Sequence, residues 1–525
     1  IRKIIPVNEN FVLHITSWHS FKKTEIQLKI RIMKKQFIIL LILSQIVLFG
    51  CQAQNNSISK EVKENIKSRV DNGENSGIVV GVITSKGTTY YNYGVKSLET
   101  NEPVNENTVF EIGSITKTFT GILLADMVVK GELNLDTPLQ ELLPNAIEAP
   151  ERNRKSIQLY QLSNHTSSFP GMPDNFNPAN SANPYADYSE EQLYAFLNGY
   201  KLTRDIGSKY EYSNYAQGLL GHLLADKKQM SYEDLMIEVI AKPLKLENTR
   251  ITLSLNMKEN LAIGHNGIGF EVENWDIPTL AGAGAIRSTA VDMINYLKAN
   301  MGLKKSSLYP AMQLSHKQTT KVHDNLMVGL GWHILLRDEL EIVWHNGATG
   351  GYRAFIGFIK GGDKGVVVLT NSKNPIGIDD IGVNLLDSTS PLTEPKKPSV
   401  INHLKNSFEN DGIEVATKKY WELKKNQTDK YDFGENQLND LGYFYLSKDD
   451  IEKAIAVFNL NVKAFPNSSN VYNSYGEALM KNNENEKAII SYKKSVELNP
   501  DNANSIAMLK KLGVDKESSV KKIIK

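Results

Sequence analysis

Phe110-Glu111-Ile112-Gly113-Ser114-Ile115-Thr116-Lys117 is the stretch on which the reading of this chain turns. It holds an S-x-x-K motif, Ser114 to Lys117, and opens an apolar-periodic run through Phe119, Ile122, Leu123 and Met127 that stops near Lys130-Gly131. A serine at a helix start has its Oγ near exposed backbone N–H groups and the positive end of the dipole. A lysine three residues on shares its face, so the amine can meet the hydroxyl. Serine is a weak nucleophile until a neighbour takes its proton, and a lysine can do so when burial lowers its pKa. Taken alone, the motif equally suits a helix N-cap followed by a surface lysine.

Two further motifs lie downstream. Tyr212-Ser213-Asn214 is a Y-x-N, and His345-Asn346-Gly347 sits at the end of a predicted strand. Leu162-Ser163-Asn164-His165-Thr166-Ser167 lies between the first and second motifs, and the Gly-rich segment Ala281–Ala290, where Thr289 and Asp292 suit a capping box, between the second and third. In this order and spacing the set resembles the class C β-lactamase and penicillin-binding DD-peptidase superfamily of serine hydrolases, over roughly residues 60–375. Each motif is weak by itself; together they are specific.

The resemblance implies roles. Ser114 is the nucleophile that becomes acylated, with Lys117 and Tyr212 sharing the acid and base work; which takes the first proton stays open. Asn214 holds the substrate's amide, and the N–H groups of Ser114 and Ala348 form an oxyanion hole. Gly347 lets substrate lie along the strand as a β-like addition. His345 and Asn346 stand where β-lactamases carry the lysine and threonine of K-T-G, which favour a substrate carboxylate. A histidine there implies weaker attraction, strengthening as pH falls through about 6.5. That departure puts efficient β-lactam hydrolysis in doubt, though not acyl transfer. The aromatic and proline-rich stretch Phe169–Tyr188 reads as a long loop able to wall the pocket.

Around these motifs the chain reads as α+β. A helix over Glu61–Val70 precedes a hairpin, Gly77–Ile83 and Thr88–Tyr93 about Ser85-Lys86-Gly87. Strand signals return at Met327–Leu336, Glu341–His345, Tyr352–Ile359 and Gly365–Thr370. One antiparallel sheet built from both ends, with flanking helices and a helical subdomain between, is expected. The Pro-rich stretch Ser388–Val400 marks a linker, 388–412, between a hydrolase domain at 52–387 and an all-α tetratricopeptide region at 413–525. Leu441-Gly442, Ala454, Phe458 and Pro466 recur 34 residues on as Tyr475-Gly476, Ala488, Tyr492 and Pro500. Val415–Lys425 and Asn504–Leu512 read as flanking helices. The repeats suit a protein partner or the hydrolase's own surface and are expected to be dispensable for chemistry.

The 525 residues carry a net charge of +1, so nothing electrostatic points to nucleic acid. With one cysteine and no HExxH pairing, neither disulfide nor metal is expected, and no cofactor. That cysteine, Cys51, ends a basic then apolar segment from Met33 (KKQFIILLILSQIVLFG), which resembles a bacterial lipobox. Residues 33–51 are therefore expected to be a lipoprotein signal peptide lipidated at Cys51, and 1–32 an upstream translated extension. The expected protein is exported and lipid-anchored to the cell envelope, in the periplasm or on the outer membrane. It acts on a β-lactam or a peptidoglycan-type D-alanyl peptide. An esterase on the same fold is the alternative, and a non-hydrolysing penicillin-binding sensor or tetratricopeptide scaffold is the alternative of another class.

Overall fold

The computed structural model describes residues 57–374 and 376–514. Cys51, the 33–51 signal and the 1–32 extension lie outside the described residues.

Eight strands form one antiparallel sheet. β1 (Gly77–Thr84) and β2 (Gly87–Gly94) come from the start of the hydrolase region; β3 (Val109–Glu111) and β4 (Arg287–Thr289) pair separately. β5 (Thr320–His323), β6 (Leu326–Val328), β7 (His333–Arg337), β8 (Leu340–Ala348), β9 (Arg353–Ile359) and β10 (Gly365–Thr370) complete the order β2-β1-β10-β9-β8-β7-β6-β5. The two ends meet where Ile78 pairs with Thr370 and Ile83 with Gly365. Alternation explains the layers. Ile78, Val80, Val82, Val366 and Val368 face the helices Lys60–Asp71 and Asp379–Leu386. Val79, Ile83, Val367 and Leu369 face the main core, with the helices Thr116–Val129 and Ala290–Asn300.

The expected Met327–Leu336 strand is two strands. The chain folds back at Gly329–Trp332, where Gly329 N–H donates to Trp332 O at 2.9 Å, and buried Trp332 packs into the core. The Gly-rich segment is a helical turn, Ala281–Gly284, with only Arg287–Thr289 extended. Thr289 does cap the next helix by accepting from Asp292 N–H, but the Asp292 carboxylate accepts from Asn248 N–H and Thr249 Oγ1 instead of closing a box.

The Pro-rich stretch is tied down. Thr393 O accepts from Asn65 and Arg69, Lys396 O accepts from Asn72, and helix Val400–Asn406 follows. Helices Ile413–Asn426, Glu435–Ser447, Ile451–Ala464, Ser469–Lys481, Asn485–Leu498 and Ala503–Lys511 make the C-terminal array. Within each repeat, glycine makes room for the aromatic: a Cβ on Gly442 would lie 2.5 Å from Phe458, and one on Gly476 2.9 Å from Tyr492. The array does not stand apart. Ile268 and Phe270 of the hydrolase region share its apolar core, and the Phe270 and Phe444 rings lie 4.2 Å apart.

Arg69, fully buried, ties three segments together: it pairs with Asp380 at 2.5 Å and donates to Gly377 O and Thr393 O. Removing one partner of a buried pair strands the other. Arg69→Met should lower unfolding free energy by about 3 kcal/mol, read from urea denaturation; an unchanged midpoint would contradict this role.

Candidate active site

Ser114 lies in a 3-10 turn, Gly113–Ile115, that leads into the buried helix Thr116–Val129. The turn is pressed against the end of β8. A Cβ on Gly347 would fall 1.9 Å from Ile112 O and 3.1 Å from Ser114 N, so only glycine permits this approach. Ser114 N–H belongs to a first turn, whose donors lack partners within the turn. Ser114 and Ala348 both line the cleft, the pair of positions expected to form an oxyanion hole.

Lys117 is wholly buried. Its Nζ lies 2.9 Å from Ser114 Oγ, 2.8 Å from Asn214 Oδ1 and 2.7 Å from Ala283 O. Desolvation alone pushes its amine far below the usual lysine range, and no carboxylate offsets it. Asn214 opens the helix Asn214–Lys227, capped by Ser213 Oγ, and its Nδ2 donates to Tyr185 Oη at 3.3 Å. The Tyr212 ring lies under Lys117, with Nζ 4.7 Å from its centroid. Tyr212 keeps a partly exposed ring, yet its hydroxyl is desolvated enough to push the phenol well up; the neighbouring Ser114 hydroxyl works the other way.

Ser114, Lys117, Tyr212, Asn214, Gly347 and Ala348 thus come together; two expected substrate contacts do not. Asn346 points to the opposite face of β8, because strand side chains alternate, and donates to Asp379 Oδ2 at 2.5 Å. His345 is on the inner face but buried behind the site, 6.4 Å from the Tyr212 ring and stacked on His333 at 4.9 Å. Burial, then His333 and Lys117, hold it neutral. It therefore supplies no cation to a substrate carboxylate, and the expected titration near 6.5 is displaced well down. His165 and His333 complete a neutral cluster: His165 Nδ1 accepts from Ser213 N–H at 3.1 Å, and His333 Nε2 lies 3.1 Å from Tyr210 Oη.

Other groups were not singled out beforehand. Tyr185, from the long loop, and Trp275 line a narrow cleft of about 40 Å³ above Ser114, with ring centroids 5.4 Å apart. Buried Glu111 and Arg287 pair at 3.2 Å and grip Trp275 from both sides. Glu111 accepts the Trp275 N–H at 3.0 Å and Arg287 donates to Trp275 O at 2.6 Å. Glu111 in the quoted stretch was the available signal, since an acid among apolar neighbours needs a buried partner.

A family model described as Beta-lactamase matches residues 62–385, and a tetratricopeptide repeat model matches 469–502. A β-lactamase of Pseudomonas fluorescens is 27% identical over 351 residues, covering 61% of this chain and 94% of that enzyme. A β-lactamase of Escherichia coli K12 is 26% identical, covering 65% of this chain and 95% of that one. The crystal structure of a class C β-lactamase from Rhodobacter sphaeroides superimposes with a TM-score of 0.55 at 24% identity, over 63% of this chain and 99% of its own. A structure titled β-lactamase/D-alanine carboxypeptidase, from Pseudomonas syringae, gives 0.55 at 22%, over 63% and 98%. These two are likenesses of fold.

Burial of histidines has a measurable consequence. His265, His316 and His333 are pushed down to about 4, 3 and 4, against an ordinary value near 6.5. Below about 6.5 the unfolded chain binds protons there that the folded chain refuses. Their stabilisation is thus full above pH 6.5 and is lost as pH falls, by up to ~1.4 kcal/mol per pH unit for each group. Urea midpoints should drop clearly between about pH 7 and pH 5; equal midpoints would speak against neutral buried histidines.

Proposed function

The chain belongs to the Beta-lactamase family, and on that premise we propose that it is an exported serine hydrolase acylated at Ser114. The contact of Lys117 Nζ with Ser114 Oγ carries this reading. A neutral amine has two N–H groups and one lone pair. Asn214 Oδ1 and Ala283 O are acceptors only and take the two N–H groups, leaving the lone pair for the Ser114 hydroxyl proton. The lowered lysine and raised tyrosine pKa values favour Lys117 as first base.

Ser114 Oγ then attacks the substrate carbonyl, and its proton passes to Lys117. The Ser114 and Ala348 N–H groups hold the oxyanion, each such donor contributing about 3 kcal/mol. As the carbonyl re-forms, the leaving nitrogen or oxygen departs with a proton relayed through the Tyr212 hydroxyl. Water, deprotonated by the same groups, releases the acyl chain. Substrates of the β-lactam or D-alanyl peptide class suit this chemistry. An ester substrate is the second reading, favoured by His345: its buried neutral ring offers no attraction to a carboxylate. The scaffold alternative leaves the Lys117–Ser114 contact without a use; a sensor that is acylated and stays acylated would use the same contact.

A fluorescent penicillin or phosphonate probe should label the protein at Ser114. Ser114→Ala should abolish labelling, and Lys117→Met should slow it at least ~10²-fold, as for loss of a general base. An adduct mapped to another residue would overturn the assignment. Turnover of a chromogenic cephalosporin, a D-Ala-D-Ala peptide and a short-chain ester, compared side by side, decides the substrate class.

Export rests on the order of basic flank, apolar run and cysteine. Cys51→Ala should shift the protein out of the membrane fraction; a wild type without lipid mass and with unchanged partition would remove the anchor.

A further inference from the structure

A second cleft, of about 440 Å³, lies just beyond Trp275, and its far wall is the helix Glu435–Ser447 of the tetratricopeptide array. Its volume falls within the range of small-ligand sites. Trp275 is the shared partition, lining both this cleft and the one above Ser114. A path of close contacts joins the two: Asn214 Nδ2 to Tyr185 Oη at 3.3 Å, Tyr185 to the Trp275 ring at 5.4 Å, and Lys373 Nζ over that ring at 5.8 Å.

Both walls carry charges of both signs: Arg353, Lys373, Glu271 and Glu273 on the hydrolase side, Asp440 and Lys448 on the array side. Lys373 reaches solvent, yet partial desolvation of its amine by the cleft walls, and then the Arg353 charge, lower its pKa. Asp440 stands on the array side; it too reaches solvent, and desolvation raises it to about 6 with no cation to offset the cost. Glu271 and Glu273 add acceptors at the same cleft. An occupant that satisfies both walls brings a carboxylate to the cations and N–H donors to the acids. A peptide chain has both.

We propose that this cleft is a distal subsite for the acyl portion of the substrate, a peptide-type chain bearing a carboxylate, and that the tetratricopeptide helix forms its outer wall. The inference rests on the proposed Ser114 chemistry and on Asn214 as the holder of the acyl amide. From that amide, the acyl chain leads past Tyr185 and Trp275 to Arg353 and Lys373. Pairing of a carboxylate with both Arg353 and Lys373 also relieves the repulsion between these two neighbouring cations. The array is then part of the enzyme's specificity, rather than a separable module.

The test uses the full chain and two esters with one leaving group: p-nitrophenyl acetate, too short to pass Trp275, and the p-nitrophenyl ester of N-succinyl-alanine, which ends in a carboxylate. Lys373→Met should lower kcat/KM for the succinyl ester about tenfold or more, the scale of one charge-assisted contact, and Lys373→Arg should restore it. Ser447→Trp, at an exposed position on the array wall, should obstruct the cleft and discriminate against the same ester. Acetate turnover should stay within about twofold in all three variants, within the usual scatter of distant surface changes. Parallel losses for both esters, or none for the succinyl ester in either variant, would overturn the subsite. Acetate turnover that survives Ser114→Ala would instead overturn the catalytic reading.

Discussion

An ammonium group cannot be buried without a partner at reasonable cost, and that constraint organises this molecule. Lys117 sits at zero exposure with three polar contacts and no carboxylate. Moving an unpaired ion out of water costs several kcal/mol, so the amine gives up its proton instead. Once it is neutral, its surroundings fall into place. Asn214 and Ala283 are there to accept, and Ser114 is left to donate. The nearby histidines are neutral for the same reason, since a positive charge on His165, His333 or His345 would meet the same poor solvation. The site is thus a poorly solvated pocket of uncharged basic groups, and on the proposed reading the first proton to move comes from the serine.

Much of this was legible in the sequence, because the chemistry is local. Ser114 and Lys117 are one helical turn apart, and Tyr212-Ser213-Asn214 carries its own cap; short spacing fixes geometry without knowledge of the fold. The paired ends of the sheet were legible too, since Gly77–Ile83 and Gly365–Thr370 are β-branched runs buried on both faces. What could not be read depends on which face or which distant element a side chain meets. Asn346 lies beside Gly347 in sequence but on the other side of the sheet, bonded to Asp379. β5 escaped notice because Thr320–His323 is a polar edge strand with no buried alternation to announce it. Tyr185 and Trp275 reach the cleft from loops ninety residues apart, and only the buried Glu111–Arg287 pair fixes where the tryptophan goes.

The Glu111–Arg287 pair also explains a division of labour around Ser114. Buried ion pairs add little net stability compared with apolar packing, but they fix geometry. Here the geometry fixed is a loop. By holding both the N–H and the carbonyl of Trp275, the pair pins a tryptophan whose chain neighbours, Glu273 and Asp276, are exposed. The segment bearing the nucleophile and the wall of its cleft are therefore joined through one carboxylate two residues before Gly113.

The repeats lean on the hydrolase region for the same kind of packing reason. Two tetratricopeptide repeats leave an apolar face at each end, and such arrays need caps. At one end helix Ala503–Lys511 covers Leu479 and Tyr492. At the other, the cap includes Ile268 and Phe270, which belong to the hydrolase region. The segment carrying them continues through Glu271 and Glu273 to Trp275, so residues that stabilise the array lie within a few positions of those that wall the active cleft. Asn402 donates to Gly73 O and Lys405 to Gly269 O, closing the junction from the helix that follows the Pro-rich stretch. The array and the hydrolase region thus share one apolar core, and the segment that contributes Ile268 and Phe270 runs on into Trp275.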